Sequence, residues 1–168
     1  MMELRTNPHP PPQSSAGSAP AYTAGAADTR LRLSAELRGQ IARVVEVSYP
    51  FEACGLMLGH TADGQVTVER ILHARNLNIG RLRDRYLLDP DDFLAADRVA
   101  RDAGLEIVGI WHSHPDAPAR PSSTDLERAW EAYSYLIVAV TTMKVMDFRS
   151  WRLKEGRFVE ESIVEKQG

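Results

Sequence analysis

Two histidines two residues apart, His112 and His114, end the apolar run Leu105-Glu106-Ile107-Val108-Gly109-Ile110-Trp111. A strand repeats every two residues, so Val108, Ile110, His112 and His114 are expected on one face, with the first pair suited to a core and the second to the strand's mouth. Two imidazoles presented on one side can reach a single ion at about 2.0–2.1 Å. No histidine follows His114, so a third ligand from downstream must be a carboxylate. Asp125, at the head of a predicted helix, is one candidate. Asp116 is a rival, held close to His114 by the stiff Pro115. Asp125 also has a purely structural explanation, because Ser122-x-x-Asp125 and Thr124-x-x-Glu127 both read as capping boxes. Two histidines, one carboxylate and an open fourth position describe a catalytic zinc, since four protein ligands close a structural site.

Other chemistries built on paired histidines fail on the residues present. Ala117, not histidine, follows Asp116, which removes the metallo-β-lactamase pattern. Barrel amidohydrolases need later histidines and about 250 residues. A P-C-x-x-C segment for a zinc deaminase is absent, as is an H-E-x-x-H helix.

The elements that must position these groups can be read from periodicity and turn signals. Residues 1–29 hold half of the ten prolines (Pro8, Pro10, Pro11, Pro12, Pro20) and only Leu4 and Tyr22 as bulky apolar groups. Such a segment cannot bury enough surface to offset its ordering entropy, so it is predicted to be a disordered tail, with His9 solvated in it. Residues 30–168 are the predicted folded domain. From Leu31 the pattern turns helical, with Ser34 as N-cap, Leu37, Ile41, Val44 and Val45 on one face, and Pro50 as the stop. Strands over 53–59 and 66–72 flank the hairpin signal Asp63-Gly64. Residues 73–85 are polar and irregular and carry Arg75, Arg81, Arg83 and Arg85. Tyr86-Leu87-Leu88 reads as a short strand, and Asp89-Pro90 opens a helix that runs to Gly104. After the histidine strand come a helix over 124–133 and strands over 136–141, 147–153 and 157–164, the last two joined through Lys154-Glu155-Gly156. There is no internal repeat. The sum is a mixed α+β domain with helices flanking a largely antiparallel sheet.

The chain has 168 residues, 43% of them hydrophobic, and a net charge of −3, which suits one domain plus a tail. That balance disfavours nucleic acid as the main partner, although Arg81, Arg83 and Arg85 form a local basic patch. Cys54 is the single cysteine, which excludes an intramolecular disulfide and a zinc ribbon and fits a reducing compartment. No segment reaches the roughly 18 apolar residues of a membrane span, and the N-terminus lacks the apolar core of a signal peptide. A cytoplasmic protein without membrane contact is the expectation.

Taken together, Glu52, then His112-Ser113-His114-Pro115, Ser122 and Asp125 resemble the JAMM motif of the MPN-domain (MPN+) metalloproteases. Pro50-Phe51-Glu52-Ala53-Cys54-Gly55-Leu56-Met57-Leu58-Gly59 is similar to the start of that family's bacterial branch, and the resemblance spans residues 32–165. It implies the α+β MPN (JAB/MPN, cytidine-deaminase-like) fold, which agrees with the elements above. It also implies that His112, His114 and Asp125 bind Zn²⁺ with a water in the fourth place, whose pKa falls toward about 7. Glu52 would be the general acid/base that moves the water's proton to the leaving amine. Ser122 would help hold the oxyanion, a role compatible with capping. Ser113 and Trp111 face away from the histidines and are expected to be structural. Cys54 is expected to be a small buried hydrophobe, and His60 and His73 surface or loop residues.

The family hydrolyses peptide or isopeptide bonds at the C-termini of ubiquitin-like proteins, and the bacterial short forms resemble peptidases of sulfur-carrier proteins that end in Gly-Gly. The resemblance therefore implies a carrier-protein substrate whose slender tail lies in a narrow groove, with residues 73–85 as a candidate wall. Those four arginines would then read an acidic carrier surface, or else belong to a solvated loop. Two rival readings are a non-catalytic MPN scaffold, which would lack the ligands, and a RadC-like protein associated with DNA repair, which the acidic charge and the Glu52 segment disfavour.

Overall fold

The hairpin turns explain how so many strands follow one another in so short a chain. Asp63-Gly64, Thr142-Met143 and Glu155-Gly156 all have positive φ at both positions (50° and 71°, 46° and 63°, 49° and 76°). That is the type I′ turn, whose twist matches that of the strands it joins. A computed structural model describes residues 22–78, 80 and 86–167, with residues 22–28 by backbone alone. Residues 1–21 of the expected tail, His9 among them, and Arg81, Arg83 and Arg85 lie outside the described residues.

The described elements are, in order, β1 (Tyr22–Leu33), α1 (Ala35–Ser48), β2 (Cys54–Ala62), β3 (Gln65–Ala74), α2 (Pro90–Asp102), β4 (Glu106–Pro115), α3 (Ser123–Glu127), β5 (Ser134–Thr141), β6 (Lys144–Lys154) and β7 (Arg157–Glu165). The strands pair in the order β1-β3-β2-β4-β5-β6-β7, and β7 returns to β1 to close a barrel. β4–β5, β1–β3 and β1–β7 are parallel and the other four pairs antiparallel, so the sheet is mixed.

Closure by β1 departs from the sequence expectation. The strand begins at Tyr22, inside the stretch read as tail. Composition reflects only what side chains can bury, whereas β1 pairs through its backbone with β7 from Tyr22 to Leu33 and with β3 at Arg30 to Arg32. Leu31 and Leu33, expected in the helical segment, are buried strand residues of the core instead.

Ser34 caps α1 by accepting from Leu37 N at 3.2 Å, and Leu37, Ile41 and Val45 bury one helical face. That face packs with Met57, Val66, Val68, Trp111, Leu136 and Val138 on one side of the sheet. Asp89 caps α2 by accepting from Asp91 N at 2.9 Å, with Pro90 at the first helical position. Ala96 and Ala100 of α2 meet Leu56 and Leu58 on the opposite side. α3 is much shorter than the predicted helix over 124–133, because the chain must turn into β5, and Trp130 N donates to Tyr135 Oη at 2.7 Å instead of continuing a helical ladder.

A register shift between Met57 and Leu58 in the β2–β4 pairing revises the expected face of β4. Val108 packs with Trp111 on the α1 side, while Ile107 and Ile110 pack on the α2 side. A bulge inserts one residue and flips the alternation, so Val108 does not share the histidines' face. His112 and His114, beyond the irregularity, keep theirs.

Two glycines test this packing in opposite directions. A Cβ on Gly55 would lie 1.9 Å from Leu72 O and 2.5 Å from the Trp111 ring. Gly55→Ala is therefore expected to cost about 3 kcal/mol, the upper end for overpacking. Gly39 sits in α1, where an added Cβ meets only the flexible end of Arg43 at 3.5 Å. Gly39→Ala is expected to stabilise by about 0.5–1 kcal/mol. Urea denaturation of both variants checks the pair, and a Gly55→Ala protein as stable as the parent would contradict the described β2–β3–Trp111 contact.

Candidate metal centre

β4 ends inside the molecule, and its last residues are buried on both faces: His112, Ser113 and His114 all have little or no exposure. On one face the two rings converge, with His112 Nε2 3.0 Å from His114 Nε2. Asp125, the third residue of α3, completes a triangle. Its Oδ1 lies 3.1 Å from His112 Nε2 and its Oδ2 3.4 Å from His114 Nε2. A tetrahedral ion with ligands at about 2.0–2.1 Å needs its donor atoms roughly 3.3 Å apart. The separations are close to that, one carboxylate oxygen lying nearest each imidazole, and these three residues are the group among those described that could hold a metal ion.

The tautomer of His114 follows from its partner. Nδ1 lies 2.9 Å from the Pro118 carbonyl, which can only accept, so Nδ1 carries the proton and neutral His114 turns a lone pair at Nε2 toward the triangle. Ser122 sets the carboxylate: its backbone N–H and its hydroxyl both donate to Asp125 Oδ2, at 2.7 and 2.8 Å, while Ser122 Oγ accepts from Asp125 N at 3.2 Å. The capping box expected from sequence and the candidate ligand are thus the same residue. The hydroxyl proton of Ser122 is committed to Asp125 in this arrangement.

Electrostatics favour a cation. Burial pushes the Asp125 carboxyl up, but the two imidazoles outweigh it and hold the acid below the usual carboxylate range. Burial holds His112 below the ordinary imidazole value, against the pull of Asp125. For His114 burial also lowers, but the Asp125 hydrogen bond and charge, the Pro118 carbonyl and Glu52 together raise it. The ionised Asp125 and neutral His112 are in the forms a divalent metal takes, whereas the proton favoured on His114 is one that a bound metal would displace.

Glu52 reaches this centre through the β2–β4 pairing. Ala53 N donates to Ser113 Oγ and Ser113 N to Ala53 O, both at 2.9 Å, and Cys54 stands opposite His112. Glu52 is buried, and its charge is felt by His114 and Cys54. Ser113 is thus structural, as expected, and the clamp it forms is what holds the Glu52 segment. Trp111 packs in the core and donates to Leu72 O at 3.2 Å. Cys54 is buried, and burial together with the Glu52 charge pushes its thiol up to about 12.

Asp116 does not join the triangle. With φ at 54° it turns outward, where its carboxylate accepts from Tyr49 Oη at 2.9 and 3.0 Å and from Thr141 Oγ1 at 2.7 Å. It ties the end of β4 to α1 and β5. His60 and His73 are exposed, as expected. Arg75 is exposed and is engaged by Asp89 at 2.6 Å and by Asp92, so it braces α2.

Three contributors had no clear signal in the sequence. The Pro118 carbonyl is a backbone group. Tyr86 forms no strand ladder; an isolated bridge at Asn76–Leu88 stands there, and the Tyr86 ring stacks on His112 with centroids 4.4 Å apart. Asn76 donates to Glu52 O at 3.2 Å from the irregular segment.

The profile of the family described as Prok-JAB, prokaryotic homologs of the JAB domain, matches residues 34–154. A desampylase of Haloferax volcanii is 34% identical over 114 residues, which cover 65% of this chain and 80% of that protein. A CysO-cysteine peptidase of Mycobacterium tuberculosis is 34% identical over 116 residues, covering 68% and 77%. Among solved structures, the solution structure of a protein from Desulfitobacterium hafniense matches with a TM-score of 0.73 at 30% identity, covering 82% of this chain and 94% of that one.

The state of Cys54 is directly measurable. With its pKa raised well above that of a free cysteine, native Cys54 is expected to react with an aromatic disulfide reagent at pH 8 on the order of 10³-fold more slowly than a free thiol, and one equivalent is expected to react in guanidinium. Fast labelling of the native protein would contradict its burial.

Proposed function

Since the chain belongs to the family of prokaryotic homologs of the JAB domain, we propose that it is a zinc-dependent peptidase that hydrolyses the peptide or isopeptide bond after the C-terminal Gly-Gly of a ubiquitin-like or sulfur-carrier protein. The observation that carries the reading is the buried triangle of His112 Nε2, His114 Nε2 and Asp125, with edges of 3.0 to 3.4 Å. Two imidazoles and one carboxylate leave a fourth position open, as a catalytic zinc requires. A cytoplasmic setting fits the lone reduced thiol.

In this reading His112, His114 and Asp125 hold the ion, and Ser122 and the Pro118 carbonyl keep two of those ligands in their binding orientation. When bound, zinc supplies a water of lowered pKa and polarises the scissile carbonyl. Glu52 takes a proton from the attacking water and returns it to the leaving amine. Its burial beside the site keeps bulk water from competing for that proton. Ser122 contributes to oxyanion stabilisation by turning its hydroxyl away from Asp125 as charge develops. A groove of about 500 Å³ runs beside Glu52 between Val47, Tyr49, Phe51, His73 and Leu77. A tail without side chains suits such a groove, and the names of the two curated relatives, desampylase and CysO-cysteine peptidase, support a conjugate of that kind as substrate.

The test offers the zinc-loaded protein a carrier extended beyond Gly-Gly and follows the release by mass spectrometry. Glu52→Gln is expected to keep its zinc and lose about 10²–10⁴-fold in kcat, Asp125→Ala to lose the zinc, and a chelator to abolish cleavage. Unchanged turnover by Glu52→Gln would sink the mechanism, and an Asp125→Ala protein with tightly bound zinc would sink the ligand assignment.

Ser122→Ala separates two roles. It is expected to weaken zinc about 10–100-fold through the loosened carboxylate and, at saturating zinc, to lower kcat by about 10²-fold. Full kcat at saturating zinc would restrict Ser122 to support of Asp125.

A further inference from the structure

Asn76 joins two halves of the site that lie on different segments. Its Nδ2 donates to Glu52 O at 3.2 Å, and its Oδ1 accepts from Leu87 N at 2.9 Å and from Asn78 N at 3.0 Å. These partners settle the amide's orientation, because a carbonyl can only accept and a backbone N–H can only donate. Residues 75–77 and 87–89 are further laced by Leu77 N to Leu87 O at 2.8 Å and Asp89 N to Arg75 O at 3.2 Å. Immediately before Leu87 comes Tyr86, whose ring covers the face of His112. The Tyr86 carbonyl accepts from Arg128 Nη1 at 2.7 Å, one residue beyond the helix that carries Asp125. The peptide unit between Tyr86 and Leu87 is therefore held from both sides, its N–H by Asn76 on the Glu52 side and its carbonyl by Arg128 on the Asp125 side.

We infer that Asn76 is a positioning residue: its side-chain amide holds the backbone of Glu52 and the Tyr86 segment that braces His112 in one frame. The inference rests on the peptidase reading for its consequence in turnover. A proton carrier must stand within about 2.6–3.2 Å of the group it serves, so small drifts of its backbone cost rate. Glu52 lies just ahead of β2, where Ser113 holds Ala53 from the β4 side and Asn76 holds the Glu52 carbonyl from the other. Tyr86 bears on the second partner: a ring on the face of His112 restricts the rotation that would aim Nε2 away from His114 and Asp125. One amide thus bears on the distance between acid/base and ligand without touching either functional atom.

Two variants split the amide's functions. Asn76→Asp keeps oxygens for Leu87 N–H and Asn78 N–H but loses the donor to Glu52 O. Asn76→Ala loses both. For Asn76→Asp we expect unchanged zinc stoichiometry, a shifted Glu52 carbonyl ¹³C resonance, protection of the Leu87 and Asn78 amides as in the parent, and kcat about 10–100-fold lower with KM within threefold. For Asn76→Ala, exchange at Leu87 and Asn78 is expected to quicken more than tenfold and the His112 ring protons to lose the ring-current shift from Tyr86. In a Glu52→Gln background, Asn76→Asp is expected to change kcat by less than threefold, because the residue acts through Glu52. Full kcat in Asn76→Asp, or an unmoved Glu52 carbonyl signal, would overturn the inference, as would parental exchange and ring shifts in Asn76→Ala. A parent protein that binds zinc and cleaves no extended carrier would instead defeat the peptidase reading, and the carbonyl, exchange and ring-shift data would still decide whether Asn76 holds the frame.

Discussion

The pairing of β2 with β4 is the constraint on which the site depends. It sets Cys54 opposite His112 and lets Ala53 and Ser113 exchange two hydrogen bonds of 2.9 Å, one of them through the serine side chain. A carboxylate far from the histidines in sequence is brought to them by a ladder of backbone bonds, whose register cannot slip without moving every side chain to the other face. The same strand continues on its other edge as the parallel partner of β5, so β4 is held on both sides where it presents its imidazoles. Buried parallel pairing explains why β5, from Ser134 to Val140, is apolar or small and buried almost throughout.

Around that strand, each donor is held by a group that has another structural duty. Ser122 caps α3 and at the same time orients Asp125. Pro118 stiffens a loop, and its carbonyl selects the tautomer of His114. Asp116 adopts a left-handed conformation that an aspartate tolerates, and from there it ties β4 to Tyr49 and Thr141. Rigid elements carry the site and loop groups trim it, which is the arrangement that keeps a constellation within a few tenths of an ångström.

Much of this was legible in the residues themselves. Ser34 and Asp89 cap their helices as their types predict, and Asp63-Gly64 and Glu155-Gly156 make the turns their composition demands. Spacing and the absence of later histidines pointed to paired imidazoles with an acidic third partner, and the family resemblance singled out Asp125 from Asp116. Thr142-Met143 turns in the same way with neither glycine nor asparagine, because the β5–β6 ladder on both sides imposes the geometry. The bulge that moves Val108 off the histidines' face had no signal, since Ile107, Val108 and Ile110 are all apolar and suit either side. β1 was hidden for a related reason: its outer part pairs by backbone, and composition reports only what side chains can bury.

By itself, then, the sequence determined the residue types available to the centre: two imidazoles on one strand face, acidic side chains before and after them in the chain, and the helix starts and turns that bring the chain back on itself. These are properties of residue type and short spacing, and a few neighbouring residues suffice to express them. The tertiary structure alone decided which aspartate enters the triangle, which nitrogen of His114 faces it, and that Asn76 and Tyr86 bear on it. Those outcomes depend on carbonyls and ring faces that distant segments bring within about 3 to 5 Å, a range set by hydrogen-bond and stacking geometry. No local pattern in the chain encodes such a distance.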